Sequence, residues 1–137
     1  MSTQRENKGG EAVLDSEDFA RLVREALDSL PEEFLERLEN VQVDVAEWPT
    51  PGELAGAGLD PGDKRALLGL YHGVPLTGRS SHYMALPDHI TIYQRPIEAA
   101  VGPEEEAIKK QVRRTVMHEI AHYYGIDDGR LEELGAY

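Results

Sequence analysis

The sequence has no cysteine. That excludes a disulfide-stapled scaffold, a thiol nucleophile and any thiolate metal site. It suits a reducing compartment, and a cytoplasmic location is the expectation. Long apolar runs are missing too. No stretch approaches the roughly 20 residues needed to cross a bilayer. The opening residues, MSTQRENKGGEA, are too polar for a secretory signal. Positive charge is scarce: 14 Lys and Arg stand against 26 Asp and Glu, for a formal net charge of -12. A surface of that sign repels phosphate backbones and anionic lipid, so neither nucleic acid nor a membrane is an expected partner. No internal repeat and no low-complexity tract interrupts the chain.

What is present is a chain of 137 residues, 40% of them hydrophobic, enough for one modest core. Residues 1–14 read as a flexible tail and 15–137 as a single domain. Phe19, Leu22, Val23, Ala26, Leu27 and Leu30 fall at helical spacing behind the capping residues Asp15 and Ser16. Pro31 ends that helix and opens a second, with Phe34, Leu35 and Leu38 inward. Val41, Val43 and Val45 alternate with polar residues, as in a strand. Residues 48–63, rich in Pro and Gly, read as a loop. Leu67, Leu68, Leu70 and Tyr71 predict a short buried strand, and HITIY a third strand that Pro96 closes. From Pro103 the period becomes helical, with a stripe of Ile108, Val112, Val116, Ile120 and Tyr124, widened by Met117 and Ala121. Gly125 is the natural stop, and a short last helix is expected near 129–134. Helices, strands, then helices again describe an α+β domain.

The chemistry lies in HEIAHYYGIDD, His118 to Asp128, at the end of the best-marked helix. Two histidines four residues apart project from one helix face, within reach of a single metal ion. Zinc prefers imidazole nitrogen, and one rigid stretch of helix supplies two ligands. Glu119 is rotated by one residue step, so it faces the open side of the metal. There it can take a proton from a water that the metal activates. This is the physical content of H-E-x-x-H. A third ligand requires the chain to fold back, which glycine at position 125 permits. Asp128, six residues after His122, is then placed to reach the ion, with Asp127 as its competitor. Either aspartate can instead cap the last helix. The full spacing, H-E-x-x-H-x-x-G-x-x-D, matches the metzincin arrangement with aspartate in place of the third histidine. His72, His82 and His89 show no ligand spacing and read as ordinary surface or turn residues. His82, Tyr83, Tyr93 and Tyr123 are the candidates for steadying an oxyanion.

HEIAHYYGIDDGRLEELG, with LLGLYHGVPLTGRS and LPDHITIYQRPIE upstream, resembles the small bacterial zincin-like metallopeptidase family over roughly residues 32–135. The resemblance implies a minimal zincin-like domain: N-terminal helices, a small sheet, an active-site helix and a short C-terminal helix. It implies Zn2+ held by His118, His122 and Asp128, with Glu119 catalytic. Two departures stand out. Tyr123 occupies a position where members often carry histidine. Met84 and Met117 both precede Asp128, so the methionine turn that supports metzincin sites is not expected.

A zinc metallopeptidase acting on a peptide or protein is therefore the leading expectation. The alternatives are a catalytically weak or inactive zincin-fold binding module and, less well matched to the charge, a zinc-dependent RNA-processing factor. For a peptidase, an extended substrate is expected to pair with an edge strand near the active-site helix. The strand nearest in sequence is Ile90, Thr91, Ile92 and Tyr93, and these are the expected substrate-binding residues.

Overall fold

The computed structural model describes residues 14–39, 41–72, 88–125 and 129. The element order is α1 (Ser16–Asp28), α2 (Glu32–Arg37), β1 (Val41–Ala46), α3 (Pro51–Gly56), β2 (Gly69–His72), β3 (Asp88–Tyr93), α4 (Gln94–Val101) and α5 (Glu105–Tyr124). The architecture is α+β: among the described residues, five helices surround a small three-stranded sheet. Among the same residues, no helix is long and apolar enough to cross a membrane.

Helix α1 begins where its cap dictates. The Asp15 carboxylate accepts the Asp18 amide at 2.8 Å, satisfying a donor that the first turn leaves open. Phe19, Leu22, Val23 and Ala26 then form its buried stripe. Helix α2 follows Pro31 and buries Phe34, whereas Leu35, expected inward, is 39% exposed. Six residues give fewer than two turns, so there is room for only one inward anchor.

The sheet order is β1-β3-β2, with β1 parallel and β2 antiparallel to β3. This corrects the expected substrate strand. Ile90–Tyr93 lies in the centre, paired on one side with Val43–Ala46 and on the other with Gly69–Tyr71. Ile90, Ile92 and Tyr93 are fully buried. The physical reason is burial on both faces: Ile90 and Ile92 enter the main core and Tyr93 the cluster on the other side, and a central place keeps all three from water. The short strand β2 takes the edge instead.

Each face of the sheet has its own cover. One face, with Val41, Val43, Val45, Tyr71, Ile90 and Ile92, packs on the main core formed by α1, α2, α4 and α5. The other carries Ala46, Leu70 and Tyr93 against Leu54, Leu59 and Leu67. Residues 51–56, expected to be loop, form α3, which delivers Leu54 to that second cluster. Residues 94–101, after the expected strand end, form α4, which buries Pro96 and Ile97.

Helix α5 is the longest element, at 20 residues and about 30 Å. Ile108, Val112, Val116, Met117, Ile120 and Ala121 are fully buried. At roughly 1.5–3 kcal/mol for each large apolar side chain buried, this stripe is what seats the helix between α1 and the sheet. The site at its C-terminal end is therefore carried on a rigid support. The expected tail lies outside the described residues up to position 13, and so does the expected last helix apart from Gly129.

Candidate active site

His118, Glu119 and His122 occupy the last two turns of α5. Between Met117 and Ile120, both fully buried, the helix turns His118 and Glu119 to its half-buried flank, and His122 lies exposed. The helix stops at Gly125, in the left-handed conformation with φ 75°, and its amide donates back to the Ala121 carbonyl. Glycine adopts that conformation without the Cβ penalty other residues meet. The helix therefore stops at the residue the sequence marked, and the expected return of the chain toward the motif lies outside the described residues. Asp127 and Asp128 lie outside the described residues.

Strand β2 approaches this end of α5 closely. The Tyr93 amide donates to the Leu68 carbonyl at 3.0 Å, which makes Leu68, Leu70 and His72 the residues that bond inward to β3. Gly69 and Tyr71 consequently turn their backbone groups to the outer edge. The Tyr71 amide donates to Glu119 Oε1 at 3.0 Å. The Tyr71 ring is fixed as well. Its hydroxyl donates to Asp88 at 2.9 Å, and it stacks on Tyr123 with centroids 4.4 Å apart. Tyr123 in turn meets Tyr124 edge to face at 5.0 Å.

A cleft of about 260 Å³ opens where the chain entering β2 meets α5. Ala66, Leu67, Leu68 and Gly69 form one wall, and Gln111, Arg114, Thr115, His118 and Glu119 the other. The approach is tight because residue 69 is glycine: a Cβ there would stand 2.6 Å from Thr115 Cγ2. Burial pushes the Glu119 carboxyl above its ordinary value, against the Tyr71 amide and His122, which pull it down. The Tyr71 hydroxyl is also raised, by burial first and then by Asp88.

The donor chemistry fits a metal in part. Two imidazoles, four residues apart on one helix, are residues of the kind that would hold a zinc ion. Among the described residues no group of three His, Asp or Glu gathers for a metal, and the expected third ligand, Asp128, lies outside them.

The oxyanion candidates separate. Tyr93 is fully buried, in the cluster with Leu54 and Leu67, so its ring presents no surface to a substrate. Tyr123 stands beside the motif, and His82 and Tyr83 lie outside the described residues. His72 and His89, expected at surface or in turns, sit on β2 and β3. They stack across the strands with centroids 4.5 Å apart, and Thr91 Oγ1 lies 3.2 Å from His72 Nε2. Sequence reasoning missed Gly69 and Tyr71 as parts of the site. Tyr71 is 48 residues from Glu119, and no local pattern links them.

Comparison with known proteins agrees with this geometry. No curated protein matches the chain. A solved structure of a conserved hypothetical protein from T. thermophilus is similar, with 27% sequence identity and a TM-score of 0.50. The match covers 85% of this chain and 99% of that one. The zincin-like metallopeptidase family model matches residues 38–136, which takes in β1, the β2 edge and the whole of α5. On that match, and on an α+β fold that sets an H-E-x-x-H helix against a small sheet, the chain belongs to the zincin-like metallopeptidase family.

Proposed function

We propose that this protein is a zinc-dependent peptidase in which His118, His122 and Asp128 hold the metal and Glu119 is the general acid/base. One observation carries the reading. A half-buried carboxylate, next to one imidazole and one turn from the other, is held by an edge-strand amide and opens on a cleft. A structural ion pair on a solvated helix face needs none of these features.

Zinc held there would supply Lewis acidity, which makes water a nucleophile at neutral pH. The chain's own residues do the rest. Glu119 takes the proton of the attacking water and delivers it to the leaving amine. Burial favours both roles, since raising the carboxyl brings it closer to the working pH. The substrate is an extended peptide laid on the outer edge of β2, where Gly69 directs its N–H and C=O outward. The cleft beside Leu67 and Leu68 accepts an adjoining side chain. The net charge of -12 argues against an RNA substrate.

The test pairs metal analysis with a peptide-pool cleavage assay. Wild-type protein offered zinc should hold one ion per chain and cleave. Glu119→Gln should keep the ion and lose activity by roughly 10²–10⁴-fold, the usual contribution of a general acid/base. Asp128→Ala should weaken zinc binding more than Asp127→Ala does. A zinc-loaded wild type that cleaves nothing would leave the binding module as the better account.

A further inference from the structure

In the free protein the edge on which we place the substrate is already in use at one point. Among the described residues, β2 has one neighbour, β3. Of its outward groups, the Tyr71 amide is committed to Glu119 Oε1 at 3.0 Å. The contact joins residues 48 apart, one on a strand and one on a helix, and both supports are stiff. The strand is tied to β3 through Leu68 to His72. The helix is anchored by Met117 and Ile120, both fully buried. The Tyr71 ring adds its own tethers to Tyr123 and Asp88.

We propose that the backbone amide of Tyr71 is a positioning group for Glu119. It holds Oε1, so that Oε2 is the oxygen presented to the reacting water. The assignment rests on the peptidase reading and deepens it. It also fixes how a peptide meets the edge. A hydrogen bond to a carboxylate is roughly twice as strong as one to a neutral carbonyl. A peptide C=O therefore does not displace Glu119 from the Tyr71 amide. Pairing then runs through the outward N–H and C=O of Gly69 and the C=O of Tyr71, without the Tyr71 amide, which restricts the register of the substrate against the motif. Gly69 contributes twice, since its missing Cβ is also what lets β2 lie against Thr115 and bring Tyr71 within reach.

The amide can be removed without breaking the sheet. Proline is tolerated on an edge strand where its missing N–H faces away from the ladder, and position 71 meets that condition. Tyr71→Pro lacks both ring and amide hydrogen, whereas Tyr71→Ala lacks only the ring. The comparison of the two isolates the amide. With zinc and a cleavable peptide, kcat of Tyr71→Pro should fall at least tenfold below that of Tyr71→Ala, with KM within about threefold, as expected of an interaction made in the transition state. A second measurement needs neither metal nor activity. Hydrogen exchange of the Tyr71 amide, followed by NMR in metal-free protein, should speed up at least tenfold in Glu119→Ala, while the inward Leu70 amide keeps its rate. Unchanged Tyr71 exchange in Glu119→Ala overturns the proposal, even where Tyr71→Pro fails to fold. Equal kcat for the two Tyr71 variants overturns it while leaving the peptidase reading intact. A zinc-loaded wild type without cleavage sinks both.

Discussion

His72 and His89 face each other across β2 and β3, half-buried and stacked. Burial first, and then the neighbouring His89, push the His72 imidazole below its ordinary value; Glu53 and Asp44 oppose this. The sign follows from linkage. The unfolded chain takes up the proton near the ordinary value of about 6.5, before the folded chain does. The contribution of neutral His72 is therefore complete above that pH and is lost as pH falls below it. Carboxylates held down by partners, such as Glu25 and Glu53, lose theirs only at lower pH. The His72 contribution, taken as the difference in urea-unfolding stability between wild type and His72→Asn, should therefore fall between pH 7 and 5.5, while Glu119, raised by burial, works in the opposite direction in the overall profile. One proton limits the His72 share of the slope to about 1.4 kcal/mol per pH unit, and partial solvent contact keeps it below that. His72→Asn should lose that share of the slope in this window; an unchanged slope would exclude His72 as its source. None of this was visible in the sequence, where His72 and His89 are 17 positions apart with no ligand spacing. His118, Glu119 and His122 were legible, because helical geometry alone puts them on adjoining turns. The Tyr71 amide was not, because nothing in a sequence marks which backbone group a carboxylate will find.

At the scale of elements, α1 and α5 were readable because each carries a long apolar stripe and an end signal: Asp15 as cap for one, Gly125 as stop for the other. Helices α3 and α4 were hidden by their prolines. Yet Thr50-Pro51-Gly52-Glu53 carries a full capping box, with Thr50 and Glu53 each bonding the other's amide at 3.0 and 2.9 Å. Pro96 sits in the first turn of α4, where no intrahelical donor is lost. Strand β2 was legible as a strand but not as an edge, since strand order depends on partners far along the chain. Its seat on α5 depends on Gly69. A Cβ there would also lie 3.3 Å from the Thr91 carbonyl oxygen and 3.5 Å from Ile92 Cδ1. Thr115 has little room to yield: it is buried, β-branched, and its hydroxyl accepts Gln111 at 3.1 Å. Gly69→Ala should therefore cost about 1–3 kcal/mol in urea unfolding, the usual range for overpacking. Thr115→Ser deletes the offending methyl and keeps the hydroxyl, so Gly69→Ala/Thr115→Ser should recover most of that loss relative to Thr115→Ser alone. Additive effects of the two substitutions would show that the close approach is not what the glycine serves.

The whole molecule carries a net charge of -12, and this bears on how a bound metal is recognised. Any divalent cation concentrates near such a surface and relieves its self-repulsion, so a rise in stability with zinc is not by itself evidence of a site. Range separates the two effects. The diffuse field is screened over about 30 Å at 0.01 M salt and about 8 Å at 0.15 M, whereas ligation by His118 and His122 acts at contact distance. Ligand type separates them again, because Mg2+ shares zinc's charge but prefers oxygen donors to imidazole. At 0.15 M salt, zinc should raise the Tm in a saturable way. An ion present at 100 times its Kd stabilises by about 2.7 kcal/mol, on the order of 10 °C for a chain of this length. Mg2+ at the same concentration should give a small shift that shrinks as salt is added. The His118→Ala/His122→Ala double variant should lose the zinc shift and keep the magnesium one, since its surface charge is almost unchanged. The metal assignment fails if magnesium matches zinc, if the zinc shift disappears between 0.01 and 0.15 M salt, or if the double variant retains it. Any of those results would place the ion in the diffuse field of the acidic surface and not on α5.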